Sequence, residues 1–171
     1  MPDLKPAVPV VLCLVLLSAL RPGLAQQLSF TNIRGVLTTD VVAGDSLALL
    51  FQEEAIDSGD PEQLIQSEYL LGLSNYYLGR IFSSTQHYER LVAQLDPVEK
   101  PELCSSVWNN LGINYEYLQK YPEALAAYQK SYTLAEQLGD SLSMAQSWLN
   151  FGLLDIKNKH FSSALAYFDR A

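Results

Sequence analysis

Cysteine is nearly missing from this sequence: Cys13 and Cys104 are the only two in 171 residues. Cys13 falls in a segment expected to be removed, so Cys104 is left alone and no disulfide within the chain is expected. Cys104 reads as a small hydrophobe near a helix start. Histidine is equally scarce. His87 and His160 are the only two, and they lack the close spacing that lets two imidazoles share a metal, so both read as surface or edge residues. The motifs G-x-S-x-G, G-x-x-x-x-G-K-[ST] and C-x-x-C do not occur. Tyr115 and Glu116 are neighbours and so point different ways on a helix, which argues against a paired catalytic function. No enzyme, cofactor or metal site is expected.

Positive charge is also in short supply. Eleven Lys and Arg stand against nineteen Asp and Glu, a formal charge of −8. Such a surface repels phosphate backbones and anionic lipid heads, so nucleic acid and membrane surfaces are not expected as partners. No five like charges run together, so the acid is spread over a solvated surface and is not a tail. A membrane-spanning helix takes roughly 20 apolar residues. The apolar run at residues 7–20 is shorter than that and is broken by Pro9 and Ser18. Lys5 precedes it, and Gly23-Leu24-Ala25 puts small residues at the −3 and −1 positions before Gln26. Residues 1–25 therefore read as a secretory signal peptide, and the protein as exported, periplasmic or extracellular in a bacterium. A retained signal-anchor is the alternative. Bulky Leu12 before Cys13 argues against a lipoprotein signal.

What the chain does have is an echo at 40 residues. Trp108-x-x-Leu111-Gly112 returns as Trp148-x-x-Phe151-Gly152, and Ala124-x-x-x-Tyr128 returns as Ala164-x-x-x-Phe168. Gly72, Gly112 and Gly152 are in phase, as are Ser84, Ala124 and Ala164, then Tyr88, Tyr128 and Phe168. A fixed period of this length marks stacked supersecondary units. The separators Gly59-Asp60-Pro61, Glu99-Lys100-Pro101 and Gly139-Asp140-Ser141 each start a helix, since Asp is a good N-cap and Pro at the first helical position loses no useful donor. First helices are expected near 61–79, 101–119 and 141–157, and second helices near 82–95, 122–138 and 161–171. Residues 26–42, with Gly35 and a Thr pair, read as a linker or irregular cap. Residues 43–60 read as an orphan capping helix. Three units follow: 61–100, 101–140 and an incomplete 141–171.

Glycine within a helix costs about 1 kcal/mol relative to alanine, and here it recurs three times at one phase. The expectation is a close approach of the two helices of a pair. Ser84, Ala124 and Ala164 would lie opposite, with the rings at 88, 128 and 168 filling the adjacent space and Trp108 and Trp148 in the same core stripe.

Trp108-x-x-Leu111-Gly112-x-x-Tyr115, with Ala124 and Tyr128 at their offsets, resembles the tetratricopeptide repeat pattern. The 148–168 unit departs from it at Asp155. The 68–88 unit departs at Glu68, Asn75 and Ser84 but keeps Leu71, Gly72 and Tyr88. The family unit is usually 34 residues, so the variant is similar to the long one of kinesin-light-chain-type adaptors and many bacterial signalling proteins. The resemblance spans about residues 45–171 and implies an all-α solenoid of antiparallel helix pairs, a superhelix with a concave face made by the first helices.

Carried over residue by residue, that face would take Gln66, Tyr69, Leu73, Tyr76 and Tyr77 from the first unit. The second would give Ser106, Asn109, Asn110, Ile113, Glu116 and Tyr117, and the third Gln146, Leu149, Asn150 and Leu153. The implied function is a non-enzymatic scaffold for a protein or peptide, whose backbone the amides would bond and whose side chains the tyrosines would cover. Gln66 and Gln146 have no basic residue near them in phase, which disfavours the version of the fold that clamps a terminal carboxylate. Asn109→Ala with Tyr76→Ala is expected to weaken capture without much change in melting. The last helix stops about two turns short of its counterpart, which would leave Ala164, Leu165 and Phe168 partly open. An end-to-end contact there, or a longer protein, is expected. The second reading is the truncated extracytoplasmic sensing region of a sensor histidine kinase or transcriptional regulator.

Overall fold

The computed structural model describes residues 28–171. The expected signal peptide and its cleavage point lie outside the described residues. Eight helices follow: α1 Phe30–Thr39, α2 Val41–Ser58, α3 Pro61–Tyr77, α4 Ile81–Gln94, α5 Pro101–Tyr117, α6 Tyr121–Leu138, α7 Ser141–Lys157 and α8 Phe161–Phe168. Each packs on the next, and in addition α1 packs on α3 and α5 on α7. Among the described residues no helix is long and apolar enough to cross a membrane.

Local chemistry sets the helix ends. Asp60 accepts from the Glu62 amide at 2.9 Å, and Asp140 accepts from Leu142 and Ser143, both at 3.1 Å. Lys100 has no side-chain cap bond and relies on Pro101 just after it. Most joints are short. Three residues separate α5 from α6 and two separate α6 from α7, so the extra length of this unit lies in its 17- and 18-residue helices. The first unit differs, because α4 stops at Gln94 and a six-residue stretch precedes α5. Pro97 explains this: it lacks an amide hydrogen and disfavours helical backbone at Asp96.

The segment expected to be irregular, 26–42, contains α1, so α2 is no orphan. Ser29 caps α1 by accepting from the Asn32 amide at 3.3 Å, and Asp40 alone joins the two helices, capping α2 through the Ala43 amide at 3.0 Å. Ile33 and Leu37, one turn apart, are fully buried against Ala48, Phe51, Leu70 and Leu71. The helical spacing of Phe30, Ile33 and Leu37 is present in the sequence, but over ten residues beside Gly35 and the Thr pair it is too short to stand out. The Thr pair that suggested a loop instead bonds back to its own helix, Thr38 to the Gly35 carbonyl and Thr39 to that of Val36.

The core is serial, as expected for stacked pairs. One cluster joins α1, α2 and α3, a second gathers Tyr69, Tyr88, Leu91, Val107 and Leu111, and a third gathers Ala124, Tyr128, Phe151 and Leu154. Cys104 is buried in the second, as a small hydrophobe would be. The in-phase glycines receive rings more than backbone. A Cβ on Gly72, Gly112 or Gly152 would lie 2.6, 2.4 and 2.4 Å from the ring of Tyr88, Tyr128 and Phe168 respectively. Ser84, Ala124 and Ala164 are buried beside them, and Ser84 also donates to the Gly72 carbonyl at 2.7 Å. Ala164 and Phe168, expected to be partly open, therefore belong to the contact with α7. Ala164 is buried and Phe168 half-buried, while Leu165 is exposed.

Trp108 and Trp148 are half-buried rather than central. Lys130 lies 3.8 Å over the Trp108 ring, and Trp148 packs on Tyr132 at 5.8 Å. Glu68, which holds that phase in the first unit, binds His87 at 2.7 Å and Arg90 at 3.3 Å. His87 is thus tied into a pair contact, while His160 is exposed.

The turn within each pair repeats at 40 residues too. Gly79, Gln119 and Lys159 have φ of 73°, 59° and 63°. Left-handed backbone costs a residue bearing a Cβ about 1 kcal/mol, and glycine almost nothing. Gln119→Gly and Lys159→Gly are each expected to stabilise the fold by about 0.5–1 kcal/mol in urea melts, whereas Gly79→Ala should destabilise it.

Candidate functional site

Because α4 and α6 lie behind them, α3, α5 and α7 sit side by side and carry their in-phase residues across a shared face. Leu73, Ile113 and Leu153 form an aliphatic rung. One turn further along, Tyr77, Tyr117 and Lys157 form another. Three shallow depressions mark this face. One of about 160 Å³ lies between α3 and α5, bounded by Leu73, Tyr76, Tyr77, Asn110 and Ile113, with Tyr88 at its floor. A second of about 240 Å³ lies between α5 and α7 and includes Tyr76, Glu116, Tyr117, Leu153 and Lys157. The third, again about 160 Å³, is lined by Arg34, Tyr69, Ser106, Asn109 and Gln146. Small-molecule sites usually enclose roughly 300–1,000 Å³. These hollows fit successive side chains of a long ligand better than one enclosed small molecule.

The structure divides the expected groove residues by how free they are. Tyr77, Ser106, Tyr117, Gln146, Leu149 and Leu153 are exposed. Gln66, Leu73, Tyr76, Asn109, Asn110, Ile113 and Glu116 are half-buried. Tyr69 and Asn150 are buried and work as walls: Tyr69 packs on Phe30 and Tyr88, and Asn150 bridges helices. Gln66 and Leu149 line none of the three hollows. Gln66 is turned to Glu62 on its own helix, at 3.1 Å.

The amides are largely committed to each other. Asn150 donates to Asn109 across the α5–α7 seam at 2.7 Å and receives a bond from Gln146 at 3.3 Å. Asn110 donates to the Tyr88 hydroxyl at 3.1 Å. Asn109→Ala would therefore also loosen the seam between repeats, contrary to the expectation that it touches binding alone. Asn109 and Asn150 are both amides because each completes the other.

Electrostatics concentrate at one corner. The Tyr128 hydroxyl donates to Glu116 at 3.0 Å, and Lys157 forms an ion pair with the same carboxylate. Tyr76 sits between Tyr77 and Tyr117, with ring centroids 5.5 and 5.9 Å away in edge-on geometry. Burial first, then Tyr117, Tyr77 and Glu116, push the Tyr76 phenol up to about 12. Burial and then Glu116 raise Tyr128 further in the same direction. Both phenols stay neutral near pH 7, and Tyr128 remains a hydrogen-bond donor to Glu116.

Two basic residues of this face were not expected. Lys157 shares its phase with Tyr77 and Tyr117, so the period itself carried the signal. Arg34 lies in the stretch read as irregular, outside the repeat phase, and it lines the same hollow as Asn109 and Gln146, so a basic residue reaches Gln146 from α1 although none does so in phase. Among the described residues no three His, Cys, Asp or Glu side chains are grouped to hold a metal.

Residues 103–171 match a family described as "Tetratricopeptide repeat". No curated protein matches the chain. Among solved structures, the crystal structure of BtubC (BKLC) from P. vanneervenii is similar with a TM-score of 0.60 and 20% identity, over 86% of this chain and 71% of that one. The crystal structure of MamA is similar with a TM-score of 0.51 and 17% identity, over 82% and 83%. At such identities the likeness is one of fold. The chain is thus an all-helical solenoid of stacked pairs, and its residues 103–171 are tetratricopeptide repeats.

Proposed function

We propose that the chain is a non-enzymatic, exported scaffold that binds an extended peptide or a protein segment along the face of α3, α5 and α7. Tetratricopeptide repeats generally mediate protein–protein binding. The observation that carries the reading here is the exposed pair Tyr77 and Tyr117 beside the Leu73–Ile113–Leu153 rung. These residues leave apolar area open to solvent at a regular interval, in a scaffold already rigid around them. An extended segment could lay its side chains into consecutive hollows and meet the tyrosines with little loss of side-chain entropy. Export rests on Lys5, the apolar run 7–20 and the small residues before Gln26. The acidic surface speaks for a protein partner over nucleic acid or a membrane surface.

The test is selection of a random phage-displayed dodecapeptide library on the immobilised chain. Selected peptides should bind at least about tenfold more weakly to a Tyr117→Ala, Leu153→Ala variant, as truncating an aromatic anchor does. Both residues are exposed, at 63% and 49%, so the melting temperature should stay within a degree or two. Selection of no peptides sensitive to this variant would sink the groove reading.

A further inference from the structure

We infer that the corner between α5 and α7 is a subsite for a basic side chain of the bound peptide, and that Lys157 holds it as a displaceable internal cation. The inference rests on the groove reading above and names the chemistry that the groove selects.

Glu116 is fixed and Lys157 is not. The Glu116 side chain is 16% exposed, and one of its oxygens accepts from the buried Tyr128 hydroxyl. Lys157 is the last residue of α7, and its side chain is 46% exposed. A carboxylate withdrawn from water and oriented by a hydroxyl is a better cation site than one at the open surface. The ammonium it now holds comes from a flexible stem that can swing into solvent. Exchanging one cation for another leaves the charge of the corner unchanged, so the exchange carries little electrostatic cost.

The tyrosines supply the preference for an incoming cation. Tyr76 meets Tyr77 and Tyr117 edge-on, a contact that occupies at most one face of each ring of a pair, and Tyr77 and Tyr117 are 42% and 63% exposed. A lysine or arginine arriving along the groove could pass over these faces and reach Glu116, gaining a cation–π contact on the way. The other charge lining these hollows points the same way: Arg34 lies by the amides at the opposite end. The Glu116 corner is thus where a cation is best placed, and the chain's net charge of −8 favours basic segments at a distance.

The probe is N-acetyl-arginine methylamide, with N-acetyl-citrulline methylamide as its neutral isostere. Both are titrated into the full chain carrying ¹³C-labelled tyrosine and read by NMR on the rings of Tyr76, Tyr77 and Tyr117. The arginine compound should give saturable shifts, and the citrulline compound at least about fivefold weaker ones. Lys157→Met should tighten the arginine compound about two- to fivefold, the scale of losing a competing surface ion pair. Glu116→Gln, which can still accept from Tyr128, should abolish saturation. Equal response to both compounds, no saturation, or weaker binding in Lys157→Met overturns the inference. Such a result alongside groove-dependent peptides in the phage selection sinks the cation subsite alone. A selection that yields no groove-dependent peptides sinks the groove reading itself.

Discussion

Tyr128→Ala is expected to cost about 3–5 kcal/mol, the range for emptying a buried aromatic site. The side chain is 1% exposed, its ring fills the seat left by Gly112, and it meets the Phe151 ring edge-on at 6.3 Å. It therefore holds three helices at once, α5, α6 and α7. In a stack where each pair touches only its neighbours, such a loss need not unfold the whole chain together. The cluster built on Ile33 and Leu37 is confined to α1, α2 and α3 and keeps its own contacts, whereas the Tyr88 cluster extends to Ala127 of α6 and shares in the loss. Urea unfolding of Tyr128→Ala should accordingly show a lower midpoint and a shallower slope, as the α7–α8 end melts before the rest. Tyr128→Phe separates packing from the hydrogen bond. It keeps the ring and loses only the bond to Glu116, so about 1 kcal/mol is expected. A Tyr128→Ala variant within 1 kcal/mol of the parent would mean that this ring does not organise the seam.

The same residues show what the sequence makes legible. The 40-residue period located every helix from α3 onward to within a few positions, because the glycine, the small residue and the ring are one contact repeated. The family resemblance, and not the period, named Tyr77, Tyr117 and Leu153, and all three are exposed. What it missed has physical causes. In α1 the stripe Phe30, Ile33 and Leu37 spans a single ten-residue helix outside the repeat, so the 40-residue period says nothing of it. Tyr69 shares its phase with the more exposed Asn109 and Leu149, and Asn150 follows the more exposed Asn110, but both are claimed by neighbours, Phe30 and Tyr88 for one and Asn109 for the other. A period tells which residues are equivalent, but not which partner reaches each of them first. Lys157 shows the converse. It was visible in phase with two tyrosines, yet only the ion pair to Glu116 reveals that the tyrosine rung ends in a charge.

Gly112→Ala should destabilise the protein even though alanine is the better helix former. The added Cβ would stand 2.4 Å from both Cδ1 and Cε1 of Tyr128 and 3.0 Å from its Cγ. The ring has nowhere to yield, with Phe151 on one side and its hydroxyl bonded to Glu116. Either α5 and α6 part or the ring leaves its rotamer, and overpacking of this kind costs about 1–3 kcal/mol. The helix-propensity gain of about 1 kcal/mol offsets only part of that. Two controls make the sign decisive. Gly35→Ala, inside α1 with nothing within 4 Å of a Cβ, should stabilise by up to about 1 kcal/mol. In a Tyr128→Leu background the smaller side chain vacates part of the seat. Gly112→Ala should there turn neutral or favourable, giving a coupling of about 1–3 kcal/mol in a double-mutant cycle. Additive effects of the two substitutions would show that position 112 needs glycine for some reason other than the ring. The matching glycines at 72 and 152 would then need that other reason as well, because they face Tyr88 and Phe168 in the same way.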